Sequence, residues 1–148
     1  MAELVIRQIN PADIGGVERI ETASFTDPYP TSVLLALAIS NPSTFLVATL
    51  KGEVIGYASA TIEGGGSARL ASVAVDPAYR ARGVAKQLLE SLLATLRGRS
   101  ISHVRLEVRE SNLAAQKLYL SLGFQHHHRV KNYYENGEDA AVMTLHLR

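Results

Sequence analysis

The chain has 148 residues, which predicts one domain at about 150 residues per domain. Hydrophobic residues make up 47% and charged residues 20%, a balance that argues against disorder and allows a sizeable buried core. The 15 Lys and Arg against 14 Asp and Glu leave a net charge of +1, which gives no general reason to expect nucleic acid or an anionic membrane as partner; the absence of cysteine excludes disulfides, thiolate zinc sites and a cysteine nucleophile.

The longest apolar run, Val33 to Ile39, is far short of the roughly 18 residues that a spanning helix needs. The N-terminus has no basic region followed by an apolar stretch. The expectation is a soluble, cytoplasmic, single-domain protein over 1–148.

In chain order, Leu4 to Ile9 reads as a strand, and Asn10-Pro11 as the start of a helix carrying Ile14, Val17 and Ile20 on one face. Thr26 to Pro30 is a turn, followed by a short helix from Ser32 to Ile39. Phe45 to Leu50 and Glu53 to Ile62 form a hairpin pattern around Lys51-Gly52. Ala68 to Val75 has apolar or small residues at odd and even positions alike and predicts a central strand buried on both faces. The strongest helix follows, with Val84, Leu88, Leu92 and Leu96 at spacing of four and Gly98 as its expected cap. His103 to Arg109 alternates as a strand. Ser111 or Asn112 caps a helix that Gly123 stops, Phe124 to Tyr134 reads as a strand, and Ala140 to Leu147 returns after the Asn136-Gly137 turn. The order β-α-α-β-β-β-α-β-α-β-β predicts an α/β (α+β) domain with a mixed sheet and a parallel crossover between the fourth and fifth strands.

The segment SVAVDPAYRARGVAKQLLESLL runs from a strand through a short loop into a helix N-terminus. First-turn amides lack intrahelical partners and carry the positive end of the helix dipole, so an anion such as a phosphate can sit there. Gly83 and Ala85 let it approach the backbone, and Arg80, Arg82 and Lys86 add positive charge. Neither the P-loop nor the three-glycine dinucleotide pattern is present. A plain strand-to-helix turn with solvated basic residues fits the same segment.

The pattern Arg80-x-x-Gly83-x-Ala85 after VAVDP, together with ESNLAAQKLYLSLGF from Glu110 to Phe124, resembles the two signature blocks of the GNAT superfamily of N-acetyltransferases. The resemblance implies a mostly antiparallel mixed sheet whose central parallel strands splay apart, with helices on both faces. It implies acetyl-CoA as cosubstrate, its pantetheine arm along Val73, Ala74 and Val75. The pyrophosphate would lie in the cradle of Ala81, Arg82, Gly83, Val84, Ala85 and Lys86, with Asn112 against the cofactor.

Tyr119 lies two helical turns after Asn112, on nearly the same face, and by itself reads as a core tyrosine. Glu107 shares a strand face with Arg105 and Arg109 and by itself reads as a solvated or salt-bridged carboxylate. LEVRESN followed by LY resembles the RimI-type N-terminal acetyltransferases, which implies Glu107 as general base and Tyr119 as the acid near the thioester sulfur. NYYENGEDA and FTDPYP resemble the two acceptor-side loops of the same group. The implied partner is a protein or peptide N-terminus, with a ribosomal protein as the type case, gripped by Tyr29, Tyr133 and Tyr134. Acetyl transfer to a small amine or lysine, or CoA binding without turnover, are the alternatives. The run His126-His127-His128 is not expected to hold a metal, because successive strand residues point to opposite faces.

Overall fold

The computed structural model describes residues 3–148. Its single sheet has seven strands in the order β1-β2-β3-β4-β5-β7-β6. They are β1 (Leu4–Gln8), β2 (Phe45–Leu50), β3 (Glu53–Gly64), β4 (Ser67–Val75), β5 (His103–Arg109), β6 (Gln125–Val130) and β7 (Ala140–His146). Every neighbouring pair is antiparallel except β4 with β5, the predicted crossover. The helices among the described residues are α1 (Ile14–Ser24), α2 (Thr31–Ser40), α3 (Val84–Gly98) and α4 (Leu113–Ser121).

The helices cover both faces of the sheet. On one face α3 buries Leu88, Leu89, Leu92 and Leu96 among Ala58, Leu106 and Met143, and α4 adds Tyr119. On the other, Val17 and Ile20 of α1 and Leu34 of α2 pack with Phe45, Val47 and Tyr57. A fully buried leucine of this kind contributes roughly 1.5–3 kcal/mol. Packing of α3 on β3 is close: a Cβ at Gly56 would meet Leu88 Cδ1 at 3.1 Å and the Ala74 carbonyl at 3.2 Å.

Asn10 starts a 3₁₀ turn, Pro11–Asp13, ahead of α1, and closes a capping box with Asp13. The buried Asp13 carboxylate accepts two bonds from Arg7, at 2.7 and 2.9 Å, and one from the Asn10 amide at 2.8 Å. These bonds, led by that from Arg7, hold Asp13 below the usual carboxylate range.

Three local expectations are corrected. The left-handed residue after α3 is Ser100, with φ +63°, while Gly98 stays within the helix. The strand expected from Phe124 to Tyr134 ends at Val130, because Asn132 is left-handed at φ +54° and Tyr134 donates its amide to the Glu138 carbonyl in a separate turn. β4 is central but alternates, with Arg69, Ala71 and Val73 only half-buried, because one of its neighbours moves away.

Candidate active site

β4 and β5 pair only through Ser67↔His103, Ala68↔Val104 and Arg69↔Arg105. Beyond Arg69, β4 continues to Val75 bonded to β3 alone, and β5 continues to Arg109 bonded to β7 alone. The gap opens a cavity of about 370 Å³, lined on the β4 side by Val73 and Ala74 and on the β5 side by Leu106, Glu107 and Val108. Backbone groups on the free edge of β4 are available to an amide-bearing ligand.

Past the end of β4, the chain turns through Ala81 at φ +63° and Gly83 at φ +79° into α3. The first intrahelical bond of α3 runs from the Gln87 amide to the Gly83 carbonyl at 3.1 Å. The amides of Val84, Ala85 and Lys86 therefore have no partner within the helix, the condition for holding a pyrophosphate. The space over Gly83 is open: beyond its own chain neighbours, no atom of the described residues lies within 4 Å of where a Cβ would be. Arg80 is committed elsewhere: it donates to the Val75 carbonyl at 2.9 Å and to Ser24 at 3.0 Å. Arg82 lies over the Tyr79 ring at 5.4 Å.

Glu107 projects into the cavity with its side chain 6% exposed. Its Oε1 accepts from Arg69 at 2.7 Å and from the Tyr133 hydroxyl at 3.3 Å, and its Oε2 accepts from Arg105 at 2.8 Å. The alternation of β5 is as expected, with Val104, Leu106 and Val108 buried on the opposite face. Arg105 also bonds Glu63, so its guanidinium bridges two carboxylates while Arg69 holds Glu107 from β4.

Tyr119 is 7% exposed, lines the same cavity and packs edge-on against Phe124. Burial pushes its phenol well above the usual tyrosine range, so the hydroxyl is a retained proton at neutral pH. Asn112, not Ser111, caps α4: its Oδ1 accepts from the Ala115 amide at 3.1 Å. α4 ends at Ser121, and Gly123, left-handed at φ +100°, turns the chain so that the Phe124 amide reaches back to the Tyr119 carbonyl.

Two loops close the other end of the cavity. Tyr29 donates its amide to Glu21 at 2.9 Å and its hydroxyl to the Ala71 carbonyl at 3.3 Å. Arg109 joins the loops to each other, donating to Asp27 at 2.7 Å and to Glu138 and Asn136 at 3.1 Å. Its guanidinium lies 4.1 Å from the Tyr134 ring centre. Burial pushes the Tyr134 phenol up to about 12.

The cavity thus brings together Glu107, Tyr119, Val73, Ala74, Ala85, Asn112, Tyr29, Tyr133 and Tyr134. Val75, Ala81, Arg82, Gly83, Val84 and Lys86 do not line it; the last five belong to the turn and helix start beyond it. Sequence reasoning missed Glu21 and Arg69, both of which line the cavity. Their partners lie on other elements, and no local spacing marks them. The histidine run lies on β6, where a register shift between His126 and His128 breaks the expected alternation and brings His127 Nδ1 to 2.7 Å from His128 Nδ1. Among the described residues, no group of three or more His, Cys, Asp and Glu side chains could hold a metal ion.

A family model described as Acetyltransferase (GNAT) family matches residues 15–124. The chain belongs to this family. An N-alpha-acetyltransferase of Sulfolobus acidocaldarius is 32% identical over 154 aligned positions, covering 96% of this chain and 92% of the relative. The crystal structure of Ard1 from Thermoplasma volcanium superposes with a TM-score of 0.95 at 32% identity, covering 98% of each chain. That of the ribosomal-protein-S18-alanine N-acetyltransferase from Escherichia coli superposes with a TM-score of 0.86 at 30% identity, covering 97% of this chain and 94% of the other. GNAT membership makes the protein an acetyltransferase, and its sheet, with one parallel pair that splays, is the family's fold.

Proposed function

We propose that this acetyltransferase takes the acetyl group of acetyl-CoA and transfers it to the N-terminal α-amine of a protein, by direct attack within a ternary complex. The observation that carries the reading is the placing of Glu107 and Tyr119 in one cavity, closed at one end by the Tyr29 and Tyr133-Tyr134 loops. Relatives named for N-alpha and S18-alanine acetylation support it. A ribosomal protein is one acceptor of this class. In this reading residues 1–148 work as one domain, in the cytoplasm. Among the described residues, no helix is long and apolar enough to cross a membrane.

Bound acetyl-CoA supplies an acyl group on a sulfur leaving group. The free edge of β4 at Val73 and Ala74 bonds the pantetheine amides, and the first-turn amides of α3 hold the pyrophosphate. Glu107 accepts a proton from the attacking amine, directly or through water. Arg69, Arg105 and Tyr133 hold its carboxylate in one orientation. Tyr119 donates its proton to the departing thiolate. Among the described residues its hydroxyl has no hydrogen-bond partner, so the proton is free for that use. An α-amine, with a pKa of about 7.7–8 against about 10.4 for lysine, is the easier substrate for a single carboxylate base.

The test is CoA release with two forms of one short peptide beginning with Ala, one with a free N-terminus and one blocked. The expected result is turnover of the free form alone. With an internal lysine in both forms, equal turnover of the blocked form moves the acceptor to a side-chain amine, and CoA binding without turnover leaves a binding module.

A further inference from the structure

Glu21 is a carboxylate 2% exposed, on the last turn of α1, with no ion pair among the described residues. A buried carboxylate is costly unless its lone pairs are filled. Here neutral donors fill them. Tyr57 donates its hydroxyl to Oε1, Ser72 donates to the same oxygen at 3.1 Å, and the Tyr29 amide donates to Oε2 at 2.9 Å. Burial, then the bond to Glu21, pushes the Tyr57 phenol far up, which keeps it the donor.

The same residue ends its helix, since its carbonyl accepts the Phe25 amide at 3.1 Å. The loop from Phe25 to Tyr29 therefore wraps around Glu21, held by its main chain at one end and its side chain at the other. Tyr29 is in turn fixed at both ends, with its amide on Glu21 and its hydroxyl on the Ala71 carbonyl at the free edge of β4. Ser72, next along β4, closes the circuit back to Glu21. Among the described residues, no hydrogen bond joins this circuit to the cradle at the start of α3.

We infer that Glu21 is a positioning residue for the acceptor: it sets the Tyr29 wall of the slot and so governs peptide binding, not the transfer step or the CoA half of the site. The inference rests on the N-terminal acceptor reading. A methionine in its place keeps the volume and removes the acceptor for the Tyr29 amide. A glutamine keeps the anchor, because its oxygen can face the Tyr29 amide while its NH₂ donates to the hydroxyl oxygens of Tyr57 and Ser72.

The test compares Glu21→Met and Glu21→Gln by steady-state kinetics with a free-N-terminus peptide and by hydrogen exchange of the Tyr29 amide. Glu21→Met should raise the peptide KM about tenfold or more, as loss of a bond to a charged group does, with kcat and the acetyl-CoA KM nearly unchanged. Exchange at Tyr29 should quicken in parallel, and Glu21→Gln should stay close to wild type in both. If Glu21→Met does not fold, Glu21→Met with Tyr57→Phe removes the orphaned hydroxyl as well. An unchanged peptide KM, a fall in kcat alone, or a Glu21→Gln variant as impaired as Glu21→Met would overturn the inference. So would a Tyr29 amide that exchanges freely in the wild-type protein, a measurement that needs no variant. Wild-type protein that ignores the peptide would defeat the acceptor reading instead, while the exchange data would still report on the Glu21 anchor.

Discussion

Arg69 Nε donates to Glu107 Oε1 at 2.7 Å across the mouth of the slot, from the residue at which β4 and β5 last pair. The ion pair spans the point where the sheet divides, so the proposed base is braced by the strand whose free edge is proposed for acetyl-CoA. Glu107→Gln should lower kcat by about 10²–10⁴-fold, the usual contribution of a positioned base, with acetyl-CoA affinity unchanged. Steady-state kinetics together with calorimetric titration of acetyl-CoA check it. An unaltered kcat would remove Glu107 from the mechanism.

Tyr119→Phe should also cut kcat and leave acetyl-CoA binding nearly unchanged, because the ring packing on Phe124 stays while the hydroxyl is lost. Among the described residues that hydroxyl has no partner to orphan, so thermal stability should hold. Burial raises the phenol pKa, so the wild-type enzyme keeps the acid protonated through neutral pH and the loss should be visible across that range. Wild-type kcat in the variant at every pH contradicts the assignment.

Gly83→Val places a branched side chain at φ +79°, with no atom of the described residues beyond its chain neighbours within 4 Å of the Cβ. The backbone strain, about 1–2 kcal/mol or more for a branched residue, should lower stability but lies below the roughly 5–15 kcal/mol of a native domain. The protein should fold and lose acetyl-CoA affinity, because the new side chain fills the space over the open amides of α3. Calorimetry on the folded variant decides, and undiminished affinity would place the phosphates elsewhere.

Asp13 links Arg7 on β1 to the start of α1. Its folded pKa lies below its unfolded value, so the stabilisation is complete above about pH 4 and drains away as pH falls through the folded pKa. Asp13→Asn should be less stable than wild type at neutral pH and close the gap in acid. Denaturant unfolding at a series of pH values measures the difference; a gap that widens in acid contradicts the linkage.

The sequence patterns that proved legible were those within one element. The leucine repeat of α3, the alternation of β5 and the Gly83 turn each follow from local spacing, and each forms as expected. The Tyr133-Tyr134 segment was misread because a β-rich run says nothing about Asn132 turning left-handed and ending β6 at Val130. β4 looked buried on both faces because its small residues suit a packed strand and a cavity wall equally well. Glu21 and Arg69 were invisible for a different reason. Glu21 finds Tyr57 and Ser72 on β3 and β4, and Arg69 finds Glu107 on β5, and only the folded sheet brings those partners together.

Transfer to an N-terminal α-amine is tested by mass-spectrometric localisation of the acetyl group on a peptide that begins with Ala or Ser and carries an internal lysine. One sample has a free N-terminus and the other is N-blocked, each incubated with the protein and acetyl-CoA. Acetylation of the α-amine is expected in the first and almost none in the second. Equal or faster acetylation of lysine in the blocked peptide would contradict N-terminal transfer.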